Sequence, residues 1–213
     1  MTKTFATEQE AFWAGEFGDA YCERNADRAL VAPNIALFSQ TLRRTSGVRS
    51  AIEFGANVGL NLVALRALLP SIELAAVEIN PKAVEKLASI PELEVHAASI
   101  LEFEAGHTYD LALIKGVLIH IDPASLGQVY DRLYRASSRY ICVAEYYNPA
   151  PVEVTYRGHS QRLFKRDFAG EMLDRFPDLS LVDYGFAYHR DANFPQDDTT
   201  WFLLEKRYTD GKR

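Results

Sequence analysis

A glycine-bearing turn between two apolar runs constrains the fold of this chain most strongly. Residues 48–62, VRSAIEFGANVGLNL, predict a buried strand, a turn containing Gly55 and Gly59, and a helix that starts near Gly59. Glycine lets the backbone bend tightly and approach a ligand closely. The N-terminal amides of the helix then point at whatever lies over the turn. The stretch therefore predicts a ligand site at a strand-to-helix connection of an α/β protein.

An acidic residue, Glu78, follows a second apolar run at the spacing of a nucleotide site. It lies about 20 residues beyond the turn, where a carboxylate can accept hydrogen bonds from ribose hydroxyls. The dinucleotide fingerprint G-x-G-x-x-G is not met, because Asn57 stands where a second glycine would admit a pyrophosphate. A nucleoside without a pyrophosphate tolerates this asparagine. The alternative is a turn glycine in an α/β protein of another kind.

Length, charge and cysteine content exclude several classes of protein. The 213 residues suffice for one sizeable core, so we expect a single domain over residues 1–213. A net charge of −6 argues against a nucleic-acid partner. Two distant cysteines, Cys22 and Cys142, indicate a reducing compartment with no disulfide framework and no metal site. No stretch is long and apolar enough for a membrane span, so we expect a cytoplasmic protein without a membrane partner. We further expect a monomer or homodimer that acts on a small molecule.

Residues 1–47 are expected to form helices outside the main sheet. Thr7 with Glu10 predicts a capping box, and Gly15 and Gly18 are expected to break the short helix that follows. Asp27 can cap a second helical region, 26–44, in which a proline ends the first half or opens the second. The aromatic first segment either forms a lid over the site or packs against the sheet edge.

Residues 48–213 alternate between strand-like and helix-like segments. This alternation predicts a Rossmann-like, mostly parallel sheet with helices on both faces and a ligand at the carboxyl ends of its strands. The predicted strands of the alternating part are 48–54, 74–79, 93–97, 110–115 and 140–145, and its helices are 59–69, 80–88 and a segment from about 123.

The last third of the chain departs from this rhythm. Residues 146–166 have no long period and are expected to form an irregular insertion at the active site, since long loops are usually functional or disordered. A helix at 167–176, capped by Asp167, comes next. Segments 179–187 and 201–206 have no helix between them, so we expect a terminal antiparallel hairpin.

These segments together resemble a known group of enzymes. The pattern E-x-G-x-N-x-G in EFGANVGLN resembles motif I of class I S-adenosylmethionine (SAM) enzymes. Nearly the whole chain resembles the methylases associated with pseudaminic acid biosynthesis, through FWAGEFGDAYCERN, VEIN, YDLALIKGVLIHI, EYYNPAPVEVTYRGHSQRLFKRDFAGEML and DYGFAYHRDANFPQDDTTWFLLEK. The resemblance implies the class I methyltransferase fold, with strand order 3-2-1-4-5-7-6, and SAM as ligand. The same sequence type resembles enzymes that cyclise SAM to azetidine-2-carboxylate and release methylthioadenosine.

The strand ends and the N-terminal segment hold the candidate SAM contacts. Glu53 and Asn57 can hold the amino-acid end, Glu78 suits the ribose, and Ser99 and Ile100 lie where an adenine is expected. Each also has a structural interpretation, such as a helix cap or a core isoleucine. The full predicted set is Trp13, Tyr21, Arg24, Asn25, Glu53, Gly55, Asn57, Gly59, Glu78, Ile79, Ser99, Ile100 and Lys115.

His120 and the end of the fifth predicted strand hold the candidate catalytic groups. Histidine titrates near neutrality and can act as a general base, although a lone histidine among apolar residues is more often structural. Glu145, Tyr147 and Asn148 are expected to flank the reacting sulfonium, where aromatic faces stabilise a cation and side-chain oxygens orient a nucleophile.

A basic stretch within the insertion is the candidate substrate-binding segment. Its cations either capture an anionic group or belong to a solvated loop. The predicted contacts are Tyr156, Arg157, His159 and Arg162. Two enzymatic functions therefore stay open: methyl transfer from SAM to a small polar, anionic acceptor, and cyclisation of SAM itself. A non-enzymatic SAM-binding protein is the third alternative.

Overall fold

The computed structural model describes residues 5–25 and 27–207. Its α-helices are α1 (Glu8–Ala14), α2 (Glu16–Arg24), α3 (Val31–Leu42), α4 (Leu60–Leu68), α5 (Pro81–Leu87), α6 (Leu126–Ala136) and α7 (Phe168–Arg175). Short 3₁₀ turns cover Arg28–Leu30, Leu118–His120 and Pro123–Ser125. The strands are β1 (Ser50–Phe54), β2 (Glu73–Glu78), β3 (Leu93–Ala97), β4 (Tyr109–Lys115), β5 (Ser137–Glu145), β6 (Val152–Glu153), β7 (Phe164–Lys165), β8 (Leu179–Ala187) and β9 (Thr199–Lys206).

Seven of these strands form one sheet in the order β3-β2-β1-β4-β5-β9-β8. Strands β1 to β5 pair in parallel, and β9 runs antiparallel between β5 and β8. Strands β6 and β7 form a separate two-stranded sheet. Because β8 and β9 are the sixth and seventh strands of the main sheet, the predicted order 3-2-1-4-5-7-6 is confirmed, including the antiparallel terminal pair.

Both faces of the sheet are covered by helices, which explains the nearly continuous apolar strands. Along β1, Ile52 and Phe54 face a core that contains side chains of α6 and α7. Ala51 faces the opposite core, in which α3 contributes Leu37 and α4 contributes Leu62. The successive side chains of a strand point to opposite faces, so β1 supplies both cores at once.

Some element boundaries and roles differ from the sequence-based expectations. Gly18 lies inside α2 and does not break it; a Cβ there would come within 1.8 Å of the Trp13 carbonyl oxygen, so close packing of α2 on α1 requires glycine. Strand β5 starts at Ser137, earlier than expected, because it pairs with Tyr109 of β4. The insertion is not wholly irregular, since β6 pairs with β7. Residues 1–4 and 26 of the expected N-terminal region lie outside the described residues.

Candidate active site

A cavity of about 260 Å³ opens at the carboxyl ends of the central strands, beneath α1 and α2. Strand β1 has β2 on one side and β4 on the other, so the winding direction of the chain changes here. Open α/β sheets bind ligands at such a position. The predicted residues that line the cavity are Trp13, Tyr21, Asn25, Gly55, Asn57, Glu78, Ile79, Ser99, Ile100, Lys115 and His120.

The turn between β1 and α4 has the backbone conformation that its sequence suggests. Gly55 has a φ of 75°, and a Cβ there would lie 2.6 Å from the Val117 side chain. Asn57 is also left-handed, with a φ of 48°, a conformation that asparagine tolerates better than most residues. Gly59, with a φ of 81°, precedes α4 and faces Leu87. It packs against α5 and does not line the cavity.

Glu78 is held at the end of β2 by backbone amides. Its Oε2 accepts a hydrogen bond from Asn57 N–H at 2.7 Å. Its Oε1 accepts from Ile79 N–H and Asn80 N–H, each at 2.8 Å. Burial raises the pKa of Glu78, and these three hydrogen bonds oppose the rise. The carboxylate therefore has a defined orientation at the mouth of the turn.

Glu53 lies beneath the cavity and contacts it through another residue. Its Oε1 accepts a hydrogen bond from Asn61 Nδ2 at 2.6 Å, and Asn61 lines the cavity. Burial raises the pKa of Glu53 to about 8. Lys115, on the neighbouring strand, does line the cavity; burial lowers its pKa, and the charges of Glu53, Asp197 and Glu145 oppose that shift.

His120 is a neutral base whose tautomer is set by a backbone carbonyl. It ends the 3₁₀ turn after β4, and its Nδ1 lies 2.6 Å from the carbonyl oxygen of Arg162. A carbonyl oxygen can only accept, so Nδ1 carries the proton and Nε2 has a free lone pair. Burial lowers the pKa of His120 to about 4. The imidazole is therefore unprotonated at neutral pH and is a hydrogen-bond acceptor at Nε2.

The other three catalytic candidates do not line the cavity. Glu145 is buried, and its Oε1 accepts hydrogen bonds from Val117 N–H at 2.9 Å and Leu118 N–H at 2.8 Å. It therefore holds the turn that carries His120, and burial raises its pKa to about 7. Tyr147 is 42% exposed and packs near Phe202. Asn148 donates to the Ala150 carbonyl oxygen at 2.6 Å. The chain beyond Glu145 turns toward Arg166 rather than the cavity.

An aromatic cluster contributed by α1, α2 and the insertion covers His120. The Trp13 ring centroid lies 4.6 Å from that of His120 and 5.2 Å from that of Tyr21. Tyr156 contacts His120 from the insertion, with 5.0 Å between ring centroids. His159 packs edge-on against Phe12. Arg24 lies over the Phe17 and Tyr21 rings rather than in the cavity.

The cations of the insertion do not converge on the cavity. Arg162 pairs with Glu8 at 3.2 Å, and Arg166 pairs with Glu171 at 2.6 Å. The Arg157 guanidinium lies over the Tyr156 ring. The geometry therefore differs from the expected anion clamp: the carbonyl of Arg162 orients His120, while its side chain neutralises an acid of α1.

Sequence reasoning missed several polar residues that line the cavity. Glu10 and Asn80 had a local signal, as a capping-box acid and a helix cap, but that signal did not point to a ligand. Asn61 is at a helical position with no distinctive pattern. Others come from parts of the chain that are far apart in sequence. The missed polar residues are Thr7, Gln9, Glu10, Asn34, Asn61, Asn80, Asp122, Gln196 and Asp197.

Comparisons with known proteins agree on the fold. The sequence matches no protein-family model and no curated protein. A 1,6-didemethyltoxoflavin N1-methyltransferase of Burkholderia thailandensis is 18% identical, with a TM-score of 0.70 over 97% of this chain and 93% of that one. A sugar N-methyltransferase of Streptoalloteichus is 15% identical, with a TM-score of 0.65 and 97% of each chain covered.

A third solved structure extends the same similarity. Magnesium protoporphyrin IX methyltransferase of Synechocystis is 12% identical, with a TM-score of 0.64 over 96% of this chain and 100% of that one. At these identities the likeness establishes the class I methyltransferase fold. Among the described residues, no helix has the length and apolarity to cross a membrane, and no cluster of three or more histidine, cysteine or acidic side chains is arranged to hold a metal ion.

Proposed function

We propose that the cavity binds SAM and that the chain is a SAM-dependent methyltransferase for a small polar acceptor. The observation that carries this proposal is the arrangement at Glu78. Its carboxylate is held by three backbone amides beside the left-handed turn of β1 and α4. The two oxygens of a carboxylate have about four acceptor sites, of which these amides use three, so Oε2 of Glu78 can still accept a hydrogen bond from a ribose hydroxyl.

The remaining cavity residues suit the two ends of the same ligand. Ile79 and Ile100 provide apolar faces for a base. Asn57, Asn61 and Lys115 lie toward the turn, where an amide and a cation suit an amino-acid group. Trp13, Tyr21 and Asn25 close the cavity from α1 and α2. The 1,6-didemethyltoxoflavin N1-methyltransferase was solved with S-adenosylhomocysteine bound and the magnesium protoporphyrin IX methyltransferase with SAM bound, which supports the choice of ligand.

His120 suits the role of general base in methyl transfer. The acceptor heteroatom attacks the SAM methyl carbon, the bond from that carbon to sulfur breaks, and S-adenosylhomocysteine leaves as a neutral thioether. The proton lost by the acceptor passes to Nε2 of His120, which is free because Nδ1 donates to Arg162. Arg157 is exposed and has no ion pair among the described residues, but it does not line the cavity, so it could bind an anionic group only on a part of the acceptor that extends outside the cavity.

Cyclisation of SAM is a second candidate, favoured by the size of the cavity. A volume of about 260 Å³ lies just below the roughly 300–1,000 Å³ of common small-molecule sites. That leaves little space for a second substrate beside SAM, and the cations of the insertion do not line it. In this reaction the amino nitrogen attacks the γ-carbon, the bond from γ-carbon to sulfur breaks, and methylthioadenosine leaves. His120 would take the amine proton.

Incubation of the protein with SAM alone, followed by mass spectrometry, separates the two reactions. Methyl transfer predicts intact SAM, with S-adenosylhomocysteine appearing once small polar acceptors such as sugar acids are added. Cyclisation predicts azetidine-2-carboxylate and methylthioadenosine without any acceptor. Heat-inactivated protein is the control for spontaneous decay. Calorimetry with S-adenosylhomocysteine tests the ligand directly, and a lack of binding would contradict both.

A further inference from the structure

Glu10 of α1 presents a buried carboxylate to one end of the cavity. The residue is 8% exposed and lines the cavity beside Ser99, at the end of β3. Its Oε1 accepts a hydrogen bond from the Ser99 hydroxyl. Its Oε2 accepts from Ala6 N–H at 2.6 Å and from Thr7 N–H at 3.2 Å. Glu10 is thus the acid of a capping box and, at the same time, part of the cavity wall.

The edge of the cavity formed by Glu10 and Ser99 can only accept hydrogen bonds from a ligand. The Ser99 hydroxyl has one proton, which it donates to Glu10, and its oxygen already accepts from Leu101 N–H at 3.0 Å. A carboxylate that takes part only as an acceptor has no proton to offer. The edge formed by Glu10 and Ser99 therefore attracts an N–H donor and repels a carbonyl oxygen.

Apolar side chains form the walls next to this acceptor edge. Ile79 follows β2, and Ile100 and Leu101 follow Ser99; all three line the cavity. The cavity therefore combines these apolar side chains with the acceptor edge at Glu10. A flat heteroaromatic ring with an exocyclic amine matches this pattern, because the ring faces are apolar and the amine offers two N–H donors.

We propose that Glu10 accepts a hydrogen bond from the exocyclic amine of the SAM adenine and thereby makes the site selective for a 6-amino purine. This inference rests on the proposed SAM site. Glu10 comes from α1, far in sequence from the strands that hold the ribose. The capping box keeps its carboxylate in place, so the acceptor that the adenine amine meets is already oriented before the ligand binds.

The substitution Glu10→Gln tests the inference with a minimal change. Glutamine can also close a capping box, since its amide oxygen accepts from Thr7 N–H. Its amide nitrogen then turns a donor toward Ser99 and the cavity. The probes are S-adenosylhomocysteine and S-inosylhomocysteine, which differ at the purine 6-position, measured by calorimetry. We expect the wild-type protein to prefer the adenosyl compound by at least about 100-fold, and E10Q to reduce that preference to below about 5-fold.

Thr7→Ala is the matched control for a purely structural role of Glu10. It removes the hydroxyl that accepts from Glu10 N–H at 3.1 Å, and so damages the same capping box while keeping the carboxylate. We expect T7A to weaken both ligands by the same factor and to keep the preference. Equal weakening of both ligands in E10Q would overturn the inference. Strong binding of the adenosyl compound with unchanged preference in E10Q would also overturn it, whereas no binding to the wild-type protein would contradict the SAM site itself.

Discussion

At the residue scale, burial shifts the pKa values of His120 and Glu53 in opposite directions. Removal from water penalises the charged form of each group, so the histidine pKa falls to about 4 and the carboxyl pKa rises to about 8. Both groups are therefore neutral near pH 7. For His120 the lowered pKa leaves the imidazole unprotonated near pH 7 but also makes it a weaker base than one with a pKa near the operating pH.

The substitution His120→Asn tests the general-base role. The asparagine amide can still donate to the Arg162 carbonyl oxygen, but nothing replaces Nε2 as a base. We expect turnover of SAM to fall about 10²–10⁴-fold, while the dissociation constant of S-adenosylhomocysteine stays within about threefold. The readouts are product formation by mass spectrometry and binding by calorimetry. Retention of more than about a tenth of the turnover would contradict the assignment.

At the element scale, Asn80 connects the pair of helices α1 and α2 to the edge of the sheet that borders the cavity. Its Nδ2 donates to the Trp13 carbonyl oxygen at 3.1 Å and to Asp19 Oδ1 at 2.9 Å. Its Oδ1 accepts from Ala83 N–H at 3.0 Å, which caps α5. Its own N–H donates to Glu78, so one residue connects the helix pair, α5 and the carboxylate at the end of β2.

The substitution Asn80→Asp separates these functions. Aspartate keeps the acceptor that caps α5 but loses the donor to Trp13 and repels Asp19. We expect faster amide hydrogen exchange in residues 7–25, unchanged exchange in 81–87, and SAM affinity reduced about 5–20-fold. Asn80→Ser controls for the repulsion, because serine also caps a helix. Unchanged exchange in 7–25 for both variants would show that other contacts hold the helix pair.

At the scale of the whole molecule, the buried ionisable groups set how stability depends on pH. Glu53 has a raised pKa, so the folded state binds a proton that the unfolded state has lost between about pH 4.5 and 8, and stability falls as pH rises through that window. His120 has a lowered pKa, so its contribution is complete above about pH 6.5 and is lost as pH falls toward 4. These two groups therefore reduce the stability of the fold at both high and low pH.

The substitution Glu53→Gln tests this balance. Glutamine resembles the protonated carboxyl and does not titrate. We expect the free energy of unfolding of the wild-type protein to fall relative to E53Q by about 1–3 kcal/mol between pH 5 and pH 8, since each pKa unit corresponds to about 1.4 kcal/mol. Urea unfolding followed by circular dichroism measures it. H120N is the control with the opposite slope: the wild-type protein should lose stability relative to it from pH 7 to pH 5. Parallel curves for wild type and E53Q would contradict the assignment.

Local pattern was sufficient for the alternating strands and the glycine turn, because these depend on side-chain periodicity and on backbone conformations that few residues adopt. The strand order was expected from the resemblance alone, since periodicity does not determine which strands pair. Local pattern also singled out Glu78, which ends β2, and His120, which lies in the 3₁₀ turn after β4. Local pattern did not predict where Glu145, Tyr147 and Asn148 lie relative to the cavity, which none of them lines. Strand ends are adjacent in a parallel sheet, but the direction in which the chain leaves β5 depends on its bridge to Arg166.

Tertiary contacts alone assign the functions of several residues whose sequence signals are local. The capping box of Thr7 and Glu10 is visible in the sequence, but the hydrogen bond from Ser99 that makes Glu10 part of the cavity joins residues far apart in the chain. The same holds for the carbonyl of Arg162, which fixes the tautomer of His120. Periodicity reports which face of an element is buried; it carries no information about which distant polar group will meet a given side chain, because that depends on how all the elements pack together.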